Sequence, residues 1–369
     1  MGTECTIRTA VNQCCRLTVK INALAALAGS SWHSPKTAAL EVVKPRDTVL
    51  TMIMTVTALM LVALALGGGW LWTPDKPRAE LEARFAGPPS EFVDVAGLRL
   101  HVRQSPVPGA PGAPGAPGAP TIIMLHGFGS SLHTWEPWAR ALDSSYRVIR
   151  FDLPGSGLSA PDPTADYADM RSTQLLAALM DTLGIRRATV IGNSMGGRIA
   201  WTFAAKYPER VERLVLISPD GFASPGFEYG KPAHVPFALS LMRYVMPMPL
   251  LRMSLEPAYA DRRTMTDSLA RRYSDLMRAP GARRAMLQRM RQTILTDPVP
   301  VLRRIQAPTL LLWGLKDEMI PFSNAADYMQ ALPNAVLVPT RGICRLKRHP
   351  PRRWCRCADS WRNVPPTET

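Results

Sequence analysis

Cysteine is missing from the long middle of this sequence. All six (Cys5, Cys14, Cys15, Cys344, Cys355 and Cys357) fall within residues 1–51 or 341–369 of a 369-residue chain. The stretch between them therefore excludes a disulfide framework and a Cys-x-x-Cys metal or redox pair, and Cys355-x-Cys357 has the wrong spacing for either. Histidine is scarce too, with six in the chain and only His349 beyond Asp317. No metal-ligand or cofactor motif is present, and no nucleic-acid-binding motif. Charge is absent from Leu50 to Trp72.

The formal net charge of +15 belongs mostly to the ends. Residues 1–51 hold 6 basic and 3 acidic side chains, and residues 341–369 hold 8 and 2. The high isoelectric point is thus a property of the tails and does not argue for a nucleic-acid surface. Cysteine-rich, basic ends around a cysteine-free middle suggest that the ends have a different origin. Residues 1–49 show no sustained hydrophobic period and read as an unstructured, non-native leader, with Met52 or Met54 as the working start. Residues 341–369 read as an aberrant basic tail.

The uncharged run 50–72 has the ~20 apolar residues that a helix needs to cross a bilayer. Trp70 and Trp72 close it, where interfacial aromatics belong. A transmembrane helix or signal anchor is expected here, with the membrane as partner. Ala63-Leu64-Ala65 has the small-x-small form of a signal-peptidase site, so secretion after cleavage is the alternative. Lys44 and Arg46 place the N-terminus in the cytoplasm and the remainder outside, against the weaker opposing vote of Lys76 and Arg78.

Glu91 to Val102 reads as two short strands joined through Ala96-Gly97. A Gly-Ala-Pro repeat, Pro108 to Pro120, is too short for a collagen helix and reads as an extended linker. From Thr121 strands and helices alternate. Strands are expected at Thr121–Leu125, Arg147–Phe151, Ala188–Ile191, Leu214–Ile217, Thr309–Trp313 and Ala335–Val338. Helices are expected at Leu132–Leu142, Met170–Leu183, Met195–Tyr207, Val299–Ile305 and Asn324–Leu332. The strands are continuous apolar runs, which predicts an α/β class with a mostly parallel sheet covered on both faces. The core is expected over 88–220 and 298–340. Between them, residues 221–297 break the alternation with a helical insert, Met-rich and basic.

One stretch carries chemistry on its face. Gly192-Asn193-Ser194-Met195-Gly196 is a small-x-Ser-x-small turn between a strand and a helix. Such a turn is tight enough to exclude side chains at 192 and 196, and it exposes a hydroxyl beside the positive end of a helix. Four further segments accompany it in order: Met124-Leu125-His126-Gly127-Phe128-Gly129, Asp152-Leu153-Pro154-Gly155-Ser156-Gly157-Leu158-Ser159, Tyr207-Pro208-Glu209-Arg210-Val211, and Leu312-Trp313-Gly314-Leu315-Lys316-Asp317-Glu318-Met319-Ile320-Pro321.

With these five segments, residues 92 to 338 resemble a serine α/β-hydrolase with a helical cap, of the esterase, lipase or meta-cleavage-product-hydrolase kind. The resemblance implies Ser194 as nucleophile, the backbone N–H groups of Met195 and Phe128 as oxyanion donors, and Asp317 as the acid that orients the base. Asp220, after the Leu214–Ile217 strand, is where some relatives place that acid. His126, Gly127, Gly192 and Gly196 shape the loops, and Asp152 is structural by the same analogy. A serine at the nucleophile position implies acyl transfer to water or cleavage of a carbon–carbon bond beside a carbonyl, with no cofactor. Leu239, Met242, Met246, Leu250 and Met253 of the insert are expected to line the site, which points to an apolar acyl or aromatic ester as substrate.

The base is not where the resemblance puts it. The order is Ser, acid, His, with a Gly-His pair after the last strand. Here residues 339–349 read Pro-Thr-Arg-Gly-Ile-Cys-Arg-Leu-Lys-Arg-His, and the closing apolar helix is missing as well. Gly342 to Pro350 can be encoded as GGC ATC TGC CGC CTG AAG AGG CAC CC. Without its first two bases that string reads His-Leu-Pro-Pro-Glu-Glu-Ala-Pro, the usual continuation of the family's histidine loop. A frameshift near Gly342, in the gene or in its sequencing, accounts for the lost histidine, the burst of Cys and Arg and the lost helix together. His349 is the remaining candidate base in the chain as written. If nothing serves as base, the chain reads as a catalytically impaired binding scaffold.

Overall fold

The computed structural model describes residues 45–105, 120–223, 228–259 and 261–340. The leader before residue 45, the Gly-Ala-Pro repeat, the tail after residue 340 and His349 in it lie outside the described residues. The chain divides into two units, one ending at Ala65 and the other beginning at Leu66.

Helix α1 (Pro45–Leu71) opens the described chain. Its stretch Val49–Leu71 has 23 residues of mean hydropathy 2.5, and none of it is buried in protein. A helix of that length rises about 35 Å, enough for the hydrocarbon of a bilayer. Then come α2 (Arg78–Phe85) and the hairpin β1 (Ser90–Val95) and β2 (Leu98–Ser105). Ala96 and Gly97 both take positive φ, 50° and 77°, which matches the right-handed twist of the strands they join.

The alternation follows as expected: β3 (Thr121–Leu125), α3 (Glu136–Leu142), β4 (Arg147–Phe151), α4 (Asp169–Thr182), β5 (Ala188–Asn193), α5 (Met195–Lys206) and β6 (Val211–Ile217). The insert contributes α6 (Phe237–Ser240), α7 (Met248–Leu255), α8 (Asp267–Met277) and α9 (Ala282–Gln292). The last elements are α10 (Val299–Leu302), β7 (Thr309–Gly314), α11 (Asn324–Ala331) and β8 (Ala335–Thr340). Residues 132–135, read from sequence as the first turn of α3, form a separate 3₁₀ turn ahead of it.

The strands make one eight-stranded sheet in the order β1-β2-β4-β3-β5-β6-β7-β8. Pairing is antiparallel at β1–β2 and β2–β4 and parallel from β4 to β8. Successive strand residues serve opposite faces. Ile123, Leu125, Val190, Leu216 and Leu311 face a core shared with α4, α5, α10 and α11, while Ile122, Met124, Ile191, Val215 and Leu312 face a second core built on Trp135 and Trp138 of the other layer. Burial of each such side chain contributes about 1.5–3 kcal/mol, so register is strongly specified. That register matters for the site. Asn193, Ile217 and Leu312 are neighbours across β5, β6 and β7, and Thr340 pairs with Gly314. The segments following β5, β6 and β7 therefore leave the sheet along one edge.

Candidate active site

Ser194 stands at the junction of β5 and α5 with φ 54° and ψ −123°, a conformation that costs a non-glycine residue of order 1–3 kcal/mol. The surroundings enforce it. The Ser194 N–H donates to Ile217 O at 3.0 Å, and its carbonyl accepts from Gly197, Arg198 and Asp220 N–H groups at 2.8, 3.1 and 3.1 Å. A Cβ on Gly192 would lie 2.6 Å from the Gly196 carbonyl carbon, and one on Gly196 2.6 Å from His126 O. Both glycines are thus required by close backbone approach, as the spacing predicted.

The His126-Gly127-Phe128 loop presses on this turn. A Cβ at Gly127 would stand 3.3 Å from Ser194 Cβ. His126 is fully buried. The Leu153 N–H donates to its Nε2 at 3.0 Å, so its Nδ1 carries the proton and donates to Gly127 O at 2.8 Å. An imidazole with its basic nitrogen engaged this way shapes the loop and has no lone pair for Ser194. Phe128 is 42% exposed. With Met195, the first residue of α5, it borders the cavity described below.

Asp152 organises the neighbouring loop. It is fully buried and accepts from Leu132 N (2.7 Å), Leu158 N (2.9 Å) and His101 Nδ1 (2.7 Å). Burial pushes its carboxyl up, but His101, by hydrogen bond and charge, and then His126 and His133 outweigh it and hold the group at about 2. His101 Nε2 in turn meets Ser90 Oγ at 2.8 Å. This Ser90–His101–Asp152 relay resembles a triad in connectivity only, since Ser90 Oγ also accepts from Arg103 Nε at 2.8 Å. Gly157 is there because a Cβ would collide with the Asp152 carboxylate.

Of the two candidate acids, Asp317 lies in the turn after β7, partly exposed, with Oδ1 accepting from Met319 and Ile320 N–H at 3.0 Å each. Its neighbour Glu318 is exposed. Asp220 is already committed. Arg198, 4% exposed on α5, reaches Asp220 at 3.2 Å and Asp169 at 3.0 Å, at ion-pair distance without aligned hydrogen bonds. Burial raises the Asp220 carboxyl more than Arg198 lowers it. Arg198 is one of nine buried positions of α5, and a buried cation must be paired.

Among the described residues no histidine is hydrogen-bonded to Ser194. His101 and His126 are engaged as above. His133 is buried, with Nε2 donating to Phe85 O at 3.1 Å and Nδ1 accepting from Ser131 Oγ at 3.3 Å, and burial lowers it to about 4. His234 lies exposed in the insert.

Beside Met195 and Phe128 a cavity separates the sheet edge from the insert. Leu276, Met277 and Met286 of α8 and α9 supply its apolar wall, together with Tyr273 and the cations Arg272 and Arg289. This corrects the lining expected from sequence. Leu250 and Met253 are exposed (53% and 64%), Met246 is buried elsewhere, and none of the stretch from Leu239 to Met253 borders this cavity. The apolar period was real, but it does not say which helix of an insert turns toward the sheet. Arg289 is buried, donates to Pro154 O at 3.1 Å and packs over the Tyr167 ring at 5.0 Å, and burial lowers it to about 10. Arg272 has no carboxylate at ion-pair distance among the described residues.

Comparisons with known proteins agree with this fold. A family model described as α/β hydrolase fold matches residues 120–340. A 2-hydroxy-6-oxononadienedioate/2-hydroxy-6-oxononatrienedioate hydrolase of Paraburkholderia phymatum is 32% identical over 228 residues, covering 58% of this chain and 77% of its own. A poly(3-hydroxyalkanoate) depolymerase of Ectopseudomonas oleovorans is 32% identical over 216 residues, covering 58% of this chain and 75% of its own. The crystal structure of a membrane phospholipase A, a bacterial virulence factor, superposes with a TM-score of 0.62 at 24% identity, over 86% of this chain and 100% of that one.

Proposed function

This chain belongs to the α/β-hydrolase family, and from that premise we propose that it is a serine hydrolase of carboxylic esters with apolar acyl or aromatic groups. The observation that carries the reading is Ser194 held at φ 54° on the N-terminus of α5, with the Gly127 loop against it. Ser194 Oγ attacks the ester carbonyl, and the developing oxyanion takes hydrogen bonds from the Met195 and Phe128 N–H groups. Loss of one such donor typically costs ~10²–10³ in rate. The alcohol leaves, and water releases the acyl group from Ser194. Asp317 orients the histidine that moves the protons. That histidine belongs to the segment after β8, where the frameshift reading restores it. The chain as written keeps the part of the rate that binding and the oxyanion donors supply, ~10³–10⁴ over water. Helix α1 anchors the enzyme in a membrane, with the hydrolase domain outside the cytoplasm.

A fluorophosphonate probe followed by assays on aryl esters of graded acyl length tests this. In the chain carrying the restored histidine, labelling of Ser194 and turnover that rises with acyl length are expected. No labelling and no turnover would leave a binding scaffold. Retention in the membrane pellet through an alkaline wash tests the anchor.

A second reading, hydrolysis of a carbon–carbon bond in a dienoate ring-cleavage product, is favoured by one observation: Arg272 presents to the cavity a cation without a carboxylate partner among the described residues. A carboxylate on the substrate would satisfy it. Turnover of a dienoate that falls at least ~10-fold in Arg272→Gln, with neutral esters unaffected, would select this reading.

A further inference from the structure

The residues that leave α1 are latched to the insert. Trp72, one residue past the end of the helix, forms an antiparallel bridge with Val245 and stacks on Tyr244 with ring centroids 5.3 Å apart. Thr73 N donates to Tyr244 O at 2.8 Å. Asp75 pairs with Arg283 of α9 at 2.6 Å, and Arg283 also donates to Met242 O at 3.3 Å. Lys76 N donates to Arg278 O at 2.8 Å. Arg283 is 4% exposed, so the latch is partly sealed from water.

The same part of the insert leaves large apolar side chains in solvent. Phe237 is 81% exposed, Leu241 46% and Tyr244 43%; Trp72, stacked on Tyr244, is 53% exposed, and Trp70 86%. Phe237 and Leu241 are four residues apart across a helical turn and so share a side. One cation lies within the patch: Arg243, exposed between Leu241 and Tyr244, has its guanidinium 5.5 Å from the Tyr244 ring centroid. An apolar patch of this kind on a soluble face calls for a partner.

We propose that Phe237, Leu241 and Tyr244, with Trp70 and Trp72, seat the insert on the surface of the bilayer that α1 enters. This seating rests on the reading of α1 as a membrane span. If Val49–Leu71 fills the hydrocarbon, Trp70 and Trp72 lie at the headgroup level. The latch then fixes Tyr244 within one ring stack of that level, and the shared side of Phe237 and Leu241 follows within two helical turns of chain. Apolar side chains at that depth bury into the headgroup–acyl boundary. A hydrolase so seated takes its ester from the bilayer, and Arg283, which borders the cavity, joins the latch to the site.

The full chain is reconstituted in vesicles of phosphatidylcholine and phosphatidylglycerol containing an alkyne-tagged phospholipid. Single variants carry a photoreactive side chain: Phe237→benzoylphenylalanine, Leu241→benzoylphenylalanine, Val56→benzoylphenylalanine within the helix, and Val336→benzoylphenylalanine on exposed β8. Lipid adducts at positions 237 and 241 roughly tenfold above position 336 are expected, alongside strong adducts at 56. Adducts at 56 without adducts at 237 and 241 overturn the seating and leave the span standing. Equal yields at 336 and 237 overturn it as well. Cross-links from 237 to a second copy of the chain replace the bilayer by a dimer partner. No lipid adduct at 56 removes the span and the seating together.

Discussion

Gly192 and Gly196 meet backbone to backbone across the elbow: a Cβ on the first would stand 2.6 Å from the carbonyl carbon of the second. Nothing flexible lies between them to give way. Gly192→Ala is expected to unfold the elbow locally or the domain globally, at a cost of about 3–5 kcal/mol. A fall in melting temperature together with loss of fluorophosphonate labelling checks it. A variant that labels normally would show that the turn can open.

Ser194 stores strain that glycine would not. Ser194→Gly removes the hydroxyl and relaxes φ 54°, so it is expected to raise stability by about 1 kcal/mol, a few degrees in melting temperature, while abolishing labelling. Ser194→Ala, which keeps a Cβ at the same φ, is expected to lose labelling without that gain.

Restoring the base is expected to restore the rate. In a variant whose residues from 342 onward follow the alternative reading frame, ester hydrolysis is expected to rise by ~10²–10⁴. In that background Asp317→Asn is expected to remove most of the gain, and Asp220→Asn little of it, because Asp220 is committed to Arg198. The reverse pattern would move the acid to Asp220. The nucleotide sequence at the Gly342 codon gives an independent answer.

Acid stability is expected to report His133. Burial lowers it to about 4 in the folded chain from an ordinary 6.5. Between those values the unfolded chain holds a proton that the folded chain refuses. Stability is therefore full above pH 6.5 and declines as pH falls through 4, by on the order of 3 kcal/mol. Urea midpoints against pH should show this slope, and His133→Gln should flatten it. Asp152, held at about 2 against an ordinary 3.8, adds a separate loss below that range, as its carboxylate is protonated.

Arg198 joins the elbow helix to Asp169, the first residue of α4, and to Asp220 in the loop after β6. Arg198→Met leaves two carboxylates facing a buried gap and is expected to cost about 3–5 kcal/mol. The double variant Arg198→Met with Asp220→Asn should recover part of that loss. Thermal denaturation of the set as a double-mutant cycle measures the coupling.

Much of the fold was legible because its signals are local. The apolar runs at Thr121–Leu125 and Thr309–Gly314, the Ala96-Gly97 turn and the uncharged run 50–72 each follow from a few consecutive residues. The elbow was legible for the same reason: two glycines and a serine between a strand and a helix admit few backbone paths. The lining of the cavity was not legible. A period along residues 239–253 shows that one side of that segment is apolar, yet α8 and α9 are the helices that face the sheet, through Leu276, Met277 and Met286. Amphipathicity defines a face without naming its partner.

Sequence alone thus determined the order of elements, the parallel sheet and the serine turn with its two obligatory glycines. Short-range sterics and hydrophobic period set those features, and both are written in neighbouring residues. Tertiary structure decided that Arg198 claims Asp220, that His126 points its basic nitrogen at the Leu153 amide, and that the exit of α1 is bound to the insert through Trp72 and Tyr244. Each of these joins groups far apart in the chain, and a charge or a ring declares its need for a partner without saying which one it will meet.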